Sequence, residues 1–153
     1  MDGPIGISSA TDLKTIVSDV LGNLAFLVSD DVDAAVPANR SDALTCTIQY
    51  QGPVSGELGC RCTPNFARQL TANLLGLDPA DPAAQASAHD AVREFMNVLC
   101  GQFVTAVHGH ESVFNLTIPT IVSGVVEPAT QPIADCTLSI GGESLRFWFR
   151  SAA

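Results

Sequence analysis

A chain of 153 residues fits one domain spanning 1–153, long enough to bury roughly two thirds of its unfolded surface. Sixteen acidic against seven basic residues give a formal charge of −9, which repels phosphate backbones and anionic lipid and so argues against nucleic acid and membrane surfaces as partners. With 46% hydrophobic and only 15% charged residues, part of the surface is expected to be apolar and to meet another protein.

In chain order, "SSATDLKTIVSDVLGNLAFLV" spaces Leu13, Ile16, Val17, Val20, Leu24 and Leu27 as a helix, with Ser and Thr ahead of it able to cap the first turn. "SDDVDAAVPANRSD" has the charge and proline of an exposed loop. "ALTCTIQYQGPVSGELGCRCTP" shows β-branched alternation on both sides of Gly52-Pro53 and predicts a hairpin. "NFARQLTANLLG" predicts a short helix capped by Asn65 and stopped by Gly76, and "LDPADPAAQAS" a proline-punctuated linker into the helix "DAVREFMNVLCGQF". Strands are expected in "SVFNLTIPTIVSGVV", "ADCTLSI" and "ESLRFWFRS", the last two joined by a turn at Gly141-Gly142. This order predicts an α+β fold, a mostly antiparallel sheet with two long helices packed on it. No run reaches the about 18 apolar residues of a spanning helix, "MDGPIGISSATD" lacks the regions of a signal peptide, and five irregularly spaced cysteines fit reduced thiols. A cytoplasmic protein is the expectation.

The helix around residue 97 carries a pattern that its packing does not require. At about 100° per residue, Asp90, Glu94, Asn97 and Gly101 fall within an arc of about 60°, opposite Val92, Phe95, Met96, Leu99 and Phe103. A solvated strip accounts for polar residues there, but Gly101 costs about 1 kcal/mol against Ala in a helix interior, and Asn is a poorer helix former than Lys, Glu or Gln. A binding face accounts for the same choices: Gly101 leaves room for another backbone, and Glu94 and Asn97 present a carboxylate and a carboxamide from a rigid element.

Glu94-x-x-Asn97-x-x-x-Gly101, preceded by "GPVSGELGCRCTPNFARQL" and Leu74-Leu75-Gly76 and followed by Ile118-Pro119-Thr120, resembles the CheC/CheX family of response-regulator phosphatases, and the CheX branch above all. The similarity covers most of residues 13–124 in the family's order; Glu-x-x-Asn alone would be a weak signal. The resemblance implies a CheC-like fold and hydrolysis of the aspartyl phosphate on a CheY-like receiver domain that already holds Mg2+, with no cofactor or metal bound by this chain. It further implies that Asn97 orients the hydrolytic water, that Glu94 reaches the receiver's lysine, and that Asp90 and Gly101 lie in the partner interface. A homodimer through a sheet edge is implied as well. The alternative it leaves open is a non-catalytic, CheC-like module docking on a receiver or a flagellar-switch protein.

The sequence departs from the family pattern in two places. Two-site members repeat the acid-x-x-Asn pattern in the first helix, whereas here Asp19 is followed three positions on by Gly22, with Asn23 one position late and rotated by about 100°. The second departure is "ESLRFWFRSAA", where alternation puts Leu145, Phe147 and Phe149 on one side and Arg146, Trp148 and Arg150 on the other, with Trp148 expected to pack under the arginine stems. Cys60-x-Cys62 and His108-x-His110 miss the usual zinc spacings, and buried thiols are the commoner fate of such cysteines.

Overall fold

The computed structural model describes residues 10–28, 42–109, 111 and 113–151. In chain order the elements are α1 (Ala10–Ala25), β1 (Leu44–Gln51), β2 (Gly56–Cys62), α2 (Pro64–Leu75), α3 (Pro82–Ala86), α4 (Ala88–His108), β3 (Asn115–Leu116), β4 (Thr120–Ser123), β5 (Ala134–Ile140) and β6 (Glu143–Ser151). The strands form one antiparallel sheet in the order β3-β1-β2-β6-β5, with β4 also paired to β1. The α+β fold with helices packed on an antiparallel sheet is therefore as the sequence predicts. Of the loop expected over 29–42 only Asp42 is described, Ser8 and Ser9 lie outside the described residues, and Thr11, expected ahead of the helix as a cap, lies inside α1.

Local chemistry explains most boundaries, and it corrects two readings. The cap of α2 is Thr63, not Asn65: its hydroxyl accepts from the Phe66 amide at 3.1 Å while Pro64 takes the first helical position, where its missing N–H costs nothing. Asn65 sits inside the helix and accepts from Arg68 at 2.9 Å. The segment read as a linker contains the one-turn helix α3, because Asp81-Pro82 is an N-cap followed by proline at the first position, with the Asp81 carboxylate accepting from Ala83 N at 2.9 Å. Gly76, at φ 68, stops α2 as predicted. The strand residues expected in "SVFNLTIPTIVSGVV" form two short strands, split at Ile118-Pro119, where proline has no N–H to give.

The helices cover one face of the sheet. Leu44, Cys46, Ile48 and Tyr50 of β1, Leu58 and Cys60 of β2, and Leu145, Phe147 and Phe149 of β6 join Leu13, Val17, Phe66, Leu70 and the buried side of α4 in one continuous core. Aromatic contacts tie α4 to β6: Phe95 meets Phe147 edge-on at 6.0 Å and Phe103 lies 4.7 Å from Phe149. At its end, His108 rests on Phe114 and Tyr50, with ring centroids at 5.0 and 5.7 Å.

The opposite face is closed by the chain itself. Since β4 lies beside β1 and β5 lies beyond β6, residues 124–133 must cross the outer face from one edge to the other. Thr45 Oγ1 donates to Gly124 O at 2.8 Å, Glu127 pairs with Arg61 and with Arg146, and Ile133 N donates to Phe149 O at 2.7 Å. Arg146 also pairs with Asp135 at 2.6 Å, and Arg150 with Glu57 at 2.8 Å. Trp148 is only 1% exposed, lies against Gly59 and carries the Arg146 guanidinium 5.1 Å above its ring, so the packed reading of this tryptophan holds.

Two measurements test this packing. A Cβ built at Gly59 would stand 2.0 Å from Trp148 Cε2, so Gly59→Ala should lower the unfolding free energy by about 1–3 kcal/mol in urea titration; an unchanged midpoint would contradict the contact. Burial holds the His108 imidazole below its ordinary value of 6.5, so the unfolded chain binds the extra proton first. Stability should be full above about pH 6.5 and fall as pH drops below it, and His108→Gln should reduce that loss in urea midpoints measured at pH 7.5 and 5.

Candidate functional site

The helix α4 sets the site by the way it is rolled onto the sheet. Val92, Phe95, Met96, Leu99 and Phe103 are all buried, as the periodicity predicts, so the opposite stripe faces out. Asp90, Glu94 and Asn97 are exposed and Gly101 is half-buried. Glu94 and Asn97 stand one turn apart on the same side of the helix. Neither makes a side-chain hydrogen bond or ion pair among the described residues. Asp90 is engaged with Arg93 at 2.9 Å, an exposed pair one turn apart that adds little to stability. His89 is the second residue of the helix and exposed.

At Gly101 a Cβ would meet nothing within 4 Å, so no neighbour among the described residues requires the glycine. Its absence of a side chain flattens the surface beside Asn97 and shortens what a docked surface must clear. The arrangement thus offers a carboxylate able to take a cation, a carboxamide able both to donate and to accept, and an unobstructed approach to both.

A groove of about 320 Å3 runs alongside, between α1 and α4. Ile16, Val20 and Leu24 of α1 and Val98 and Ala106 of α4 supply its apolar lining, and Asp19, Asn23 and Gln102 its polar groups. The sequence flagged Asp19 and Asn23 only as a failed repeat of the acid-x-x-Asn pattern; their spacing of four, one turn on the same side of α1, was the available signal that they face one way.

The cysteines offer no competing chemistry. All five are free and buried, and burial pushes the thiols of Cys46, Cys100 and Cys136 up to about 12, which keeps them protonated at neutral pH. Cys60 and Cys62 point into the core on one side of β2, and His110 lies outside the described residues. Among the described residues no group of three or more His, Cys, Asp or Glu is placed to hold a metal ion, and no helix is long and apolar enough to cross a membrane.

The family model for chemotaxis phosphatase CheX matches residues 44–140, from β1 to the end of β5 and through all of α4. The chain belongs to the CheX family. The solved structures it resembles include a CheX from Desulfovibrio desulfuricans, with a TM-score of 0.68, 18% identity and coverage of 93% of this chain and 97% of that one. A CheX from Borrelia burgdorferi, solved in complex with CheY, BeF3 and Mg2+, gives 0.65 and 17% with 91% and 94% coverage. A CheC-like protein from a Shewanella species gives 0.61 and 16% with 95% and 99% coverage. At these identities the likeness is one of fold. No curated protein matches the chain in sequence.

One consequence concerns stability alone. Because nothing among the described residues of the CheX-family chain needs the glycine, Gly101→Ala should raise the unfolding free energy by about 0.5–1 kcal/mol in urea titration. A loss of stability would mean that the stripe packs against something within the chain.

Proposed function

We propose that this CheX-family chain is a phosphatase for the aspartyl phosphate of a chemotaxis-type receiver domain, with α4 as the element that meets the phosphorylated site. The observation that carries this reading is that Glu94 and Asn97 stand one turn apart, both exposed and both without partners in the described chain, on a helix whose roll is fixed by its buried side. The complex of the Borrelia burgdorferi relative with CheY supports a CheY-like partner.

Hydrolysis of an acyl phosphate needs a water in line with the phosphorus, and positioning accounts for most of what a protein can add to such a step. The Asn97 carboxamide can accept one hydrogen from that water and donate to an oxygen beside it, without any change of ionisation. Glu94 would pair with a lysine on the receiver and fix the angle at which α4 docks. Asp90 and Gly101 would lie in the same contact. Mg2+ belongs to the receiver in this reading and neutralises charge on the phosphoryl oxygens there; this chain contributes no ligand to it. A homodimer formed through one of the two sheet edges, β5 or β3/β4, belongs to the same reading.

Phosphate loss from a phosphorylated receiver should be faster with this protein present. Asn97→Ala should lower that acceleration by about 100-fold or more while leaving affinity for the beryllofluoride-activated receiver within a few-fold. Equal acceleration by wild type and variant would remove the amide from the mechanism, and binding without any acceleration would leave a docking module.

A further inference from the structure

Resting on the reading above, we infer that the receiver is held on two helices rather than one: the groove between α1 and α4 takes a cationic, partly apolar patch of the receiver beside its phosphorylated site, with Asp19 as the residue that selects for it. Glu94, Val98 and Gln102 follow one another at intervals of four, so a single ridge of α4 leads from the proposed chemistry into the groove. A surface that covers Asn97 and pairs with Glu94 therefore meets Val98 and Gln102 at its flank.

The lining states what chemistry fits. Asp19, Asn23 and Gln102 are its polar side chains, and none of them makes a side-chain hydrogen bond or ion pair among the described residues. Asp19 is exposed, and among the described residues no Lys or Arg lines the groove. The groove has one carboxylate, Asp19, and aliphatic groups in its lining, and Glu94 stands outside it, one turn before Val98 on the same ridge. That combination suits the stem and head of a lysine or arginine, flanked by apolar side chains. A volume of about 320 Å3 admits side chains of a docked surface, not a helix inserted whole. The chain's net charge of −9 favours a cationic partner surface in general, and Asp19 favours it at the groove.

On this account the first helix, which lacks the amide of a second site, serves recognition. Its Asp19 is a specificity residue and does not touch the reacting atoms.

The test uses the full chain and a phosphorylated receiver whose dephosphorylation the wild type accelerates. Asp19→Lys reverses the charge at an exposed position, and Ala106→Arg fills the groove with a cation from the α4 side; unchanged unfolding midpoints show that both fold. Each should raise KM about tenfold with kcat within about twofold, and the rise of KM with added salt expected for the wild type should flatten in Asp19→Lys. Wild-type KM and salt dependence in both variants, with turnover still lost in Asn97→Ala, would overturn the groove and leave the proposed function standing. If wild-type protein accelerates no receiver, the proposed function falls and this inference with it.

Discussion

The arrangement depends on one contact, the seating of the apolar side of α4 on the inner face of the sheet. Phe95 against Phe147 and Phe103 against Phe149 fix the roll of the helix, and Met96 and Leu99 fill the space between them. Each of these side chains contributes roughly 1.5–3 kcal/mol on burial, so the seating outweighs any preference of the polar stripe. A roll of one residue, about 100°, would bring polar positions such as Asn97 toward the sheet at a cost of several kcal/mol in lost solvation. What looks like a property of Glu94 and Asn97, their outward direction, is thus set by four hydrophobic residues on the other side of the same helix.

The sheet's second face supports the proposal that the helical layer is where a partner meets this protein. Residues 124–133 cross it and satisfy its charges internally: Arg61 and Arg146 share Glu127, and Arg150 takes Glu57. The hydrogen bonds from Arg61 and Arg146 hold the Glu127 carboxyl below its usual range, against the opposing effect of desolvation. Trp148 lies beneath this layer and is closed to solvent. A face whose cations and largest aromatic are already engaged offers little to a receiver, whereas Glu94, Asn97, Asp19 and Gln102 have made no such commitments among the described residues.

The sequence made the site's helix legible because its period is local. Apolar residues recurring every three or four positions determine which side of α4 is buried, and the polar stripe follows by subtraction. The hairpin around Gly52-Pro53 and the Gly141-Gly142 turn were legible for the same reason: their chemistry lies within a few residues, and both glycines of the turn adopt positive φ, 56 and 81. Two local signals were misread. Thr63-Pro64 competes with Asn65 as a cap and wins because proline can occupy the first helical position, and Asp81-Pro82 starts a helix rather than interrupting one. The crossing of residues 124–133 and the facing of α1 against α4 depend on strand order, to which no short window of sequence refers. For that reason the groove beside the stripe emerged only from the fold, although Asp19 and Asn23 were in view from the start.

Cross-saturation NMR on this chain, perdeuterated and bound to a protonated, beryllofluoride-activated receiver, tests the central claim most directly, because it maps the docked surface without relying on turnover. The account predicts that attenuation concentrates on the Asn97 carboxamide and the amides of Glu94 to Gly101. Attenuation centred on residues 124–133 or on the β5 edge, with α4 untouched, would contradict it.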